Sequence, residues 1–315
     1  MGKAILITGA FGFIGSNLSK YLNKNGDYQL IALDIVKPEN HHYDYYYNWN
    51  QLDEIEWDNI YTIIHLAGKA HDTKNTAEDE IYTRINVGLT QKLFSYFSQS
   101  KSQKFIFFSS IKAVADSVED DYLSEDAIPN PQTPYGKSKL EAEKLLQNEI
   151  EIPEKKIYII RPCMIHGPGN KGNLNLLYKT VEKGIPYPLG SFENKRSFTS
   201  IGNLNFVIEQ LLLKDIKSGI YQLADDESLS TNQLIHEIAI SLNRNERVWY
   251  INKSLIKLIA KLGDFLHLPI NSERLKKLTE SYVVSNLKIK KALEIEKMPL
   301  KAEDGLAITL ESFKN

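Results

Sequence analysis

The chain has 315 residues, which is long enough for one large α/β domain or for a domain carrying a smaller second lobe. Hydrophobic residues make up 42% of it and charged residues 25%, a mixture typical of globular proteins that excludes a disordered chain. Its formal net charge of −2 excludes an overall basic field for nucleic acid, and its single cysteine, Cys163, excludes an intramolecular disulfide and a thiolate metal cluster.

Cysteine use and the first residues both indicate a cytoplasmic protein. A lone thiol suits a reducing compartment. The apolar residues 3–7 run directly into glycines without the apolar region and cleavage site of a signal peptide, and no apolar run reaches transmembrane length. We therefore expect a cytoplasmic location, with neither nucleic acid nor a membrane among the partners.

Short apolar runs alternate with helical stretches along the chain. They lie at residues 4–7, 30–33, 60–66, 105–108, 157–160 and 220–223. Runs of Ile, Leu and Phe without polar alternation are typical of strands that are covered on both faces, as in parallel sheets. The pattern predicts an α/β fold with a Rossmann-type doubly wound parallel sheet, whose ligands bind at the carboxyl ends of the strands.

After residue 163 the pattern loosens into a stretch rich in Gly, Pro and Asn, followed by helices separated by prolines. We predict a dinucleotide-binding domain over residues 1–163 and a smaller, mainly C-terminal substrate-binding lobe over residues 164–315. The run at 220–223 is expected to return to the main sheet, so that the two parts interleave.

Two further segments have unusual patterns. Segment 253–268 is amphipathic, with Leu255, Ile259, Leu262 and Leu266 at helical spacing. We expect this face to pack on the protein's own core, with a membrane or a partner as the alternative. The aromatic segment 41–47 is expected to be a surface loop, with a lid as the alternative.

The first predicted strand ends in a glycine-rich sequence, and helix-forming residues follow at once. Gly9, Gly12 and Gly15 permit a tight turn and the close approach of a pyrophosphate, while the helix N-terminus supplies N–H groups and partial positive charge. This is the position of the dinucleotide fingerprint. We assign cofactor contacts to these glycines and to Phe13 and Ile14 between them.

The second predicted strand closes with Asp34. Its carboxylate can accept hydrogen bonds from both hydroxyls of an adenosine ribose, and it repels a 2′-phosphate. NAD is therefore the expected cofactor, while the nearby Lys37 keeps NADP as an alternative. A carboxylate that only caps a turn is the other interpretation of Asp34.

Tyr135 and Lys139 are four residues apart at the start of a helical segment, so they share one face of it. The pKa of a free tyrosine is about 10, so a phenolate base near neutral pH needs positive charge beside it, which Lys139 and an oxidised nicotinamide would supply. Ser110, where the fourth strand ends, can bind the reacting oxygen and share its proton with Tyr135, whereas Ser109 is expected to support the cofactor. Ser110, Tyr135 and Lys139 are thus predicted to catalyse a hydride transfer.

Together these residues resemble the extended short-chain dehydrogenase/reductase family of nucleotide-sugar epimerases, dehydratases and 4-ketoreductases. The resemblance implies that Leu66, Ala67 and Gly68 lie along the cofactor and that Asn86 supports the active site. It also implies a cofactor contact at Pro162. By the same analogy His65 is structural, and no metal site is expected.

The resemblance further implies a homodimer. In relatives the helices that carry Asn86 and Tyr135 form the dimer surface. In this chain the leucines that could furnish it are Leu89, Leu93, Leu145 and Leu146.

A narrower similarity links segments 109–112, 167–173, 188–190 and 194–198 to bacterial surface-polysaccharide enzymes, namely UDP-sugar 4-epimerases and UDP-4-keto-6-deoxy-HexNAc 4-reductases. It implies a nucleotide-diphosphate sugar as substrate, UDP-linked, that reacts at C4. It also implies a contact from Arg196 to the diphosphate, since guanidinium binds phosphate bidentately. Asn173 and Arg274 are further implied substrate contacts.

Four residues differ from the family's usual pattern, and they bear on the reaction and on the sugar. Ile111 and Lys112 stand where dehydratases carry an acid pair, which disfavours a 4,6-dehydratase. Met164 and His166 stand where many relatives carry Asn and Tyr, so the sugar stays open. The sequence does not separate a 4-epimerase from a 4-ketoreductase. A non-catalytic NAD(P)-binding redox sensor or scaffold is the alternative from another class.

Overall fold

The computed structural model describes residues 2–24, 26–69, 79–266 and 271–314. Its strands are β1 (Lys3–Thr8), β2 (Tyr28–Leu33), β3 (Tyr45–Tyr47), β4 (Ile60–His65), β5 (Lys104–Phe108), β6 (Lys156–Pro162), β7 (Met164–His166), β8 (Phe198–Ser200) and β9 (Gly219–Leu223). Its helices are α1 (Phe13–Leu22), α2 (Asp79–Gln99), α3 (Pro134–Gln147), α4 (Asn173–Glu182), α5 (Ile201–Leu213), α6 (Thr231–Ser241), α7 (Lys253–Phe265), α8 (Ser272–Thr279), α9 (Leu287–Leu293) and α10 (Ala302–Glu311).

Seven of the described strands form one parallel sheet in the order β3-β2-β1-β4-β5-β6-β9. Thr8, the last residue of β1, pairs with Leu33 on one side and with His65 on the other. The carboxyl ends of these three strands therefore meet at one edge. The predicted doubly wound α/β fold is confirmed, and β9 returns to the sheet beside β6 as expected.

Both faces of the sheet are covered, because successive side chains of a strand point to opposite sides. Ile5 and Ile7 of β1 pack with residues of α1 and α5. Leu6, between them, packs on the other face with residues of α2 and α3. Each fully buried aliphatic side chain of this kind stabilises the fold by about 1.5–3 kcal/mol.

Two of the leucines that were predicted to furnish a dimer surface belong to this core. Leu93 and Leu146 are fully buried beneath α2 and α3. They are unavailable to a second subunit because each helix points them at its own sheet, so this part of the prediction is wrong. Leu89 and Leu145 are partly exposed, and the homodimer itself stays a prediction.

Residues after 163 also form an apolar cluster that is separate from the clusters of the main sheet. Leu174 of α4, Leu234 of α6 and Leu306 of α10 pack against Phe198 of β8, which pairs with β7 in a separate two-stranded parallel sheet. Helix α5 instead contributes Leu204 to the core of the main sheet. The chain thus crosses between the two parts several times after residue 163.

Residues 41–47 are a surface loop only in part. Tyr45, Tyr46 and Tyr47 form edge strand β3 and pair with the end of β2. Tyr43 is buried among residues of the main core. The expectation was wrong for Tyr43 and for the strand residues, because aromatic side chains have high strand propensity and a large apolar area to bury.

Helix α7 also departs from expectation. It packs against α8 through Ile256 and Ala260, which meet Leu275. The four apolar residues that were predicted to face the core are about half exposed: Leu255 50%, Ile259 48%, Leu262 53% and Leu266 58%. The prediction is wrong because the helix buries a neighbouring stripe of its surface instead. None of the helices in the described part of the chain combines the length and apolarity needed to span a membrane.

Candidate active site

Two glycines of the turn between β1 and α1 are required by close contacts within the protein's own backbone. Gly9 has a positive φ of 63°, and a Cβ on it would lie 2.9 Å from the backbone nitrogen of Ala67. A Cβ on Gly15 would lie 2.4 Å from the carbonyl oxygen of Ala10. Gly12 precedes α1 without a side-chain cap, so the positive end of the helix dipole faces the turn. The predicted cofactor contacts Phe13 and Ile14 open the helix, and this arrangement fits a dinucleotide pyrophosphate.

Tyr43 supports the glycine turn through hydrogen bonds. Its hydroxyl lies 3.0 Å from the carbonyl oxygens of both Ala10 and Gly15, and its ring meets Phe11 edge to face. Burial raises the pKa of Tyr43, so the hydroxyl keeps its proton and remains a donor. The sequence offered one signal for this residue, the aromatic run itself, which was interpreted as surface.

Asp34 joins the turn to the end of β2. Its carboxylate accepts hydrogen bonds from the backbone nitrogens of Phe11 at 2.9 Å and Ile35 at 2.7 Å. A carboxylate has about four lone-pair sites, so these two bonds leave capacity for ribose hydroxyls. Asp34 therefore caps a turn and is also free to serve a ribose. Lys37 lies over the ring of Tyr46 with its Nζ 5.7 Å from the centroid.

Ser110 and Tyr135 meet at the end of β5. Ser110 caps the short 3₁₀ turn Ile111–Ala113 and accepts a hydrogen bond from the Lys112 nitrogen. Tyr135 is the second residue of α3, which begins with Pro134 and is capped by Thr133. Burial raises the pKa of Tyr135, and its hydrogen bond with Ser110 lowers that pKa in part.

Lys139 lies one turn farther along α3 and is buried. Its Nζ donates to the carbonyl oxygen of Phe108 at 2.8 Å. Burial lowers the pKa of Lys139 to about 8, although the nearby Glu143 carboxylate opposes this shift. The predicted lowering of the Tyr135 pKa by Lys139 is therefore not seen: burial raises that pKa, and the Lys139 ammonium donates to the backbone.

A buried ion pair underlies these residues. Arg161 of β6 binds Glu143 at two points, with Nε 2.9 Å from Oε1 and Nη2 2.6 Å from Oε2. The Ser109 hydroxyl also donates to Glu143. Sequence reasoning missed Glu143, although its position four residues after Lys139 places both on one helix face. The Ser109 hydroxyl is therefore engaged with Glu143, and the predicted support of the cofactor by Ser109 stays a prediction. The predicted cofactor contact of Pro162, which is buried, also stays a prediction.

His65 is held in a chain of hydrogen bonds. On one side, the Thr8 hydroxyl lies 2.8 Å from Nδ1 of His65 and accepts a hydrogen bond from the Ala67 nitrogen. On the other side, Nε2 of His65 lies 3.1 Å from the Thr90 hydroxyl. Thr90 in turn donates to the carbonyl oxygen of Asn86 at 2.6 Å. Because the Thr90 hydroxyl donates its proton to Asn86, it accepts from His65, which places the ring proton on Nε2. Burial, followed by the charge of Lys139, lowers the pKa of His65 to about 3, so it is neutral and structural as the resemblance implied.

Asn86 ties the segment after β4 to α3. Its side-chain oxygen accepts from the Lys69 nitrogen at 2.8 Å, and its side-chain nitrogen donates to the Ser138 hydroxyl at 2.9 Å. A Cβ on Gly68 would lie 2.7 Å from that oxygen and 3.5 Å from Nζ of Lys139. Gly68 thus lies beside the predicted catalytic lysine, and the cofactor contacts of Leu66, Ala67 and Gly68 stay predictions.

Arg196 reaches α8 from the strand-like segment before β8. Its Nη2 donates to the carbonyl oxygen of Lys277, while its buried Nε has no hydrogen-bond partner among the residues that the structure describes. Burial lowers the pKa of Arg196, opposed by Glu280. A guanidinium with an unsatisfied buried N–H fits the predicted phosphate contact.

The other predicted substrate contacts are less enclosed. Arg274 lies on α8 one turn before Lys277, so α8 brings it to the same region as Arg196. Asn173 is exposed at the start of α4, and its contact stays a prediction. His166 is buried with Nδ1 2.8 Å from the Thr309 hydroxyl, which places it in the packing of the lobe. Within the described ranges, no group of His, Cys, Asp and Glu is placed to hold a metal ion.

Comparisons with known proteins agree with this geometry. A model of the NAD dependent epimerase/dehydratase family matches residues 5–226. The chain is 32% identical over 255 residues to a UDP-glucose 4-epimerase of Vibrio cholerae, covering 78% of this chain and 77% of that one. It is 27% identical over 304 residues to an N-acetyl-alpha-D-glucosaminyl-diphospho-ditrans,octacis-undecaprenol 4-epimerase of Escherichia coli O157:H7, covering 92% and 86%.

Solved structures share the fold. The UDP-glucuronic acid 4-epimerase of Bacillus cereus, in complex with NAD, superposes with a TM-score of 0.75 at 21% identity and covers 99% of this chain and 98% of its own. The family match and the Vibrio cholerae relative show that the chain belongs to the NAD dependent epimerase/dehydratase family and is an NAD-dependent enzyme of the nucleotide-sugar epimerase and reductase type.

Proposed function

We propose that the protein is a 4-epimerase of a UDP-hexose or UDP-N-acetylhexosamine, acting in surface-polysaccharide biosynthesis. The observation that carries the proposal is the hydrogen bond between Ser110 and Tyr135, one helical turn from Lys139 and at the sheet edge that holds the glycine turn. Relatives named as 4-epimerases of sugar diphosphates support the choice of C4.

The catalytic residues divide the proton transfer between them. Tyr135 accepts the proton of the C4 hydroxyl, and Ser110 holds the same oxygen through its hydroxyl. Bound NAD supplies the hydride acceptor at C4 and the hydride donor for the return step. Tyr135 returns the proton it has taken when the C4 ketone is reduced.

Lys139 and its supports position this pair. Lys139 keeps an ammonium beside the site through its bond to the Phe108 carbonyl. Glu143, fixed by Arg161, sets the charge around that ammonium. Arg196 would bind the diphosphate through the N–H group that the fold leaves unsatisfied.

Turnover without added nicotinamide tests the proposal. The purified protein should interconvert the C4 epimers of a UDP-hexose or UDP-N-acetylhexosamine with no NADH or NADPH in the assay. A strict requirement for added NADH or NADPH, with net consumption of a 4-keto sugar, would show a 4-ketoreductase instead. Normal turnover by a Tyr135→Phe protein would remove Tyr135 from the mechanism.

A second candidate substrate is a hexosamine joined through a diphosphate to a polyprenol. The relative from Escherichia coli O157:H7 is named for such a substrate, and it matches 92% of this chain. Both substrates present a sugar diphosphate to Arg196, so that contact does not separate them. Parallel assays with UDP-linked and polyprenyl-diphosphate-linked N-acetylglucosamine would identify the preferred carrier by the ratio of kcat/KM values.

A further inference from the structure

Helix α7 exposes a continuous apolar face. We define the α7 apolar face by six residues, Leu255, Leu258, Ile259, Leu262, Phe265 and Leu266. All six are exposed, and Phe265 is 82% exposed. Their spacings of three and four residues place them along one side of the helix. Contiguous apolar patches of this kind on a globular protein mark sites of interaction with a protein or a membrane.

Cationic residues border this face. Lys253, Lys257 and Lys261 are spaced by four residues and form a row along α7. In α7 and α8 together, six Lys and Arg residues stand against two Asp and Glu residues, a net charge of +4 in a chain whose net charge is −2. The charge is therefore concentrated on this pair of helices.

We propose that the α7 apolar face docks on an anionic lipid surface, with the helix lying in the plane of the headgroups. An apolar helix face beside a row of lysines has the two features that bind such surfaces: apolar area for the acyl boundary and positive charge for the headgroups. Exposed Trp249 and Tyr250, within four residues of the start of α7, have the amphipathic rings that favour the same depth.

The same charge argues against a second copy of the chain as the occupant. A two-fold contact brings identical patches together, so two copies of this helix pair, each with a net charge of +4, would repel each other. Anionic headgroups complement the patch instead. Docking here would also place the substrate lobe at the lipid surface, since α7 packs on α8 and α8 holds Arg196 through the Lys277 carbonyl.

Flotation of the full-length protein with lipid vesicles tests the proposal without any substrate. The protein should float with vesicles of phosphatidylcholine mixed with phosphatidylglycerol, bind less to phosphatidylcholine alone, and bind less as salt is added. A Leu258→Gln, Leu262→Gln, Phe265→Gln triple variant should lose about tenfold or more of this binding. A Lys257→Gln, Lys261→Gln variant should lose the preference for anionic vesicles.

The matched control is an Ile128→Gln, Leu213→Gln, Leu287→Gln variant, which changes three exposed apolar residues elsewhere and should float like the unmodified protein. Each variant replaces exposed side chains, and unchanged NAD binding will show that it folds. Absence of vesicle binding by the unmodified protein would overturn the proposal. So would undiminished binding by the α7 triple variant, or self-association in sedimentation that only this variant loses, which would assign the face to a second copy.

Discussion

Arg161 and Glu143 form a buried two-point ion pair on the floor of the site, with Nε and Nη2 of the arginine 2.9 Å and 2.6 Å from the two carboxylate oxygens. Glu143 also accepts from Ser109 and lies one helical turn from Lys139. Strand β6, strand β5 and helix α3 are thus joined through a single carboxylate. The pair fixes the helix that carries Tyr135 against the end of the sheet.

Replacing this carboxylate should destabilise the fold. In a Glu143→Gln protein the Arg161 guanidinium would be left buried without a counter-charge, which costs about 3–5 kcal/mol. Urea unfolding should show a lower midpoint at an unchanged slope. Glu141→Gln, on the exposed side of the same helix, is the control and should change stability by less than about 0.5 kcal/mol. Equal urea midpoints for the two variants would show that the ion pair contributes nothing to the stability of the fold.

Removing the phenol oxygen should abolish most of the activity. A Tyr135→Phe protein lacks the group that exchanges the substrate proton, and general acid and base catalysis contributes about 10²–10⁴-fold. The kcat should fall by that factor while NAD binding is retained. Tyr122→Phe, at an exposed position, is the control and should leave kcat unchanged. Loss of NAD binding in the Tyr135 variant would indicate a structural defect instead of a lost proton transfer.

The chain of bonds through His65 predicts acid sensitivity. The pKa of His65 is about 3 in the folded protein and 6.5 when unperturbed, so below pH 6.5 the unfolded state binds a proton that the folded state does not. Stability should therefore fall as the pH drops below 6.5, by about 1.4 kcal/mol per pH unit from this group. Urea unfolding at several pH values should show a shallower fall for His65→Gln than for the unmodified protein. His42→Gln, at an exposed position, should keep the original slope.

The sequence predicted the parts of this molecule that follow from strong local patterns. Six apolar runs became six strands of the sheet, and the Gly9 turn and the helix that carries both Tyr135 and Lys139 were predicted because each depends on residues close together in the chain. The resemblance to a known family supplied Asn86, which the residues alone did not single out.

What the sequence did not predict depends on contacts between distant residues. Tyr43 lies on the connection between β2 and β3, and its hydroxyl donates to carbonyl oxygens of the glycine turn, which is far from it in the chain. The exposure of Leu262 depends on which stripe of α7 meets α8, and periodicity alone does not choose between adjacent stripes. The raised pKa of Tyr135 depends on burial of the phenol, which the sequence does not reveal.

The Arg196 contact predicts a split between binding and turnover. Arg196→Lys keeps the charge but loses the planar fork that binds a diphosphate at two points. The KM for the sugar diphosphate should rise by about tenfold to a hundredfold, which corresponds to one charge-assisted hydrogen bond, while kcat changes little. Arg247→Lys, where the arginine donates to the Gly184 carbonyl at 3.1 Å, is the matched control. A fall in kcat at unchanged KM would place Arg196 at the reacting sugar and away from the diphosphate.

Removing the Tyr43 hydroxyl beneath the glycine turn should weaken the binding of NAD. Tyr43→Phe keeps the buried ring and its edge contact with Phe11 but removes the hydroxyl that lies 3.0 Å from the Ala10 and Gly15 carbonyls. Because the turn would lose a buried donor worth about 0.5–1.5 kcal/mol, and two carbonyls would lose their partner, the Kd for NAD should rise by about tenfold. Titration of the cofactor-free protein with NAD measures this directly. Tyr45→Phe, on the exposed edge strand, should bind NAD like the unmodified protein, and an equal loss in both variants would assign the effect to the edge strand as a whole.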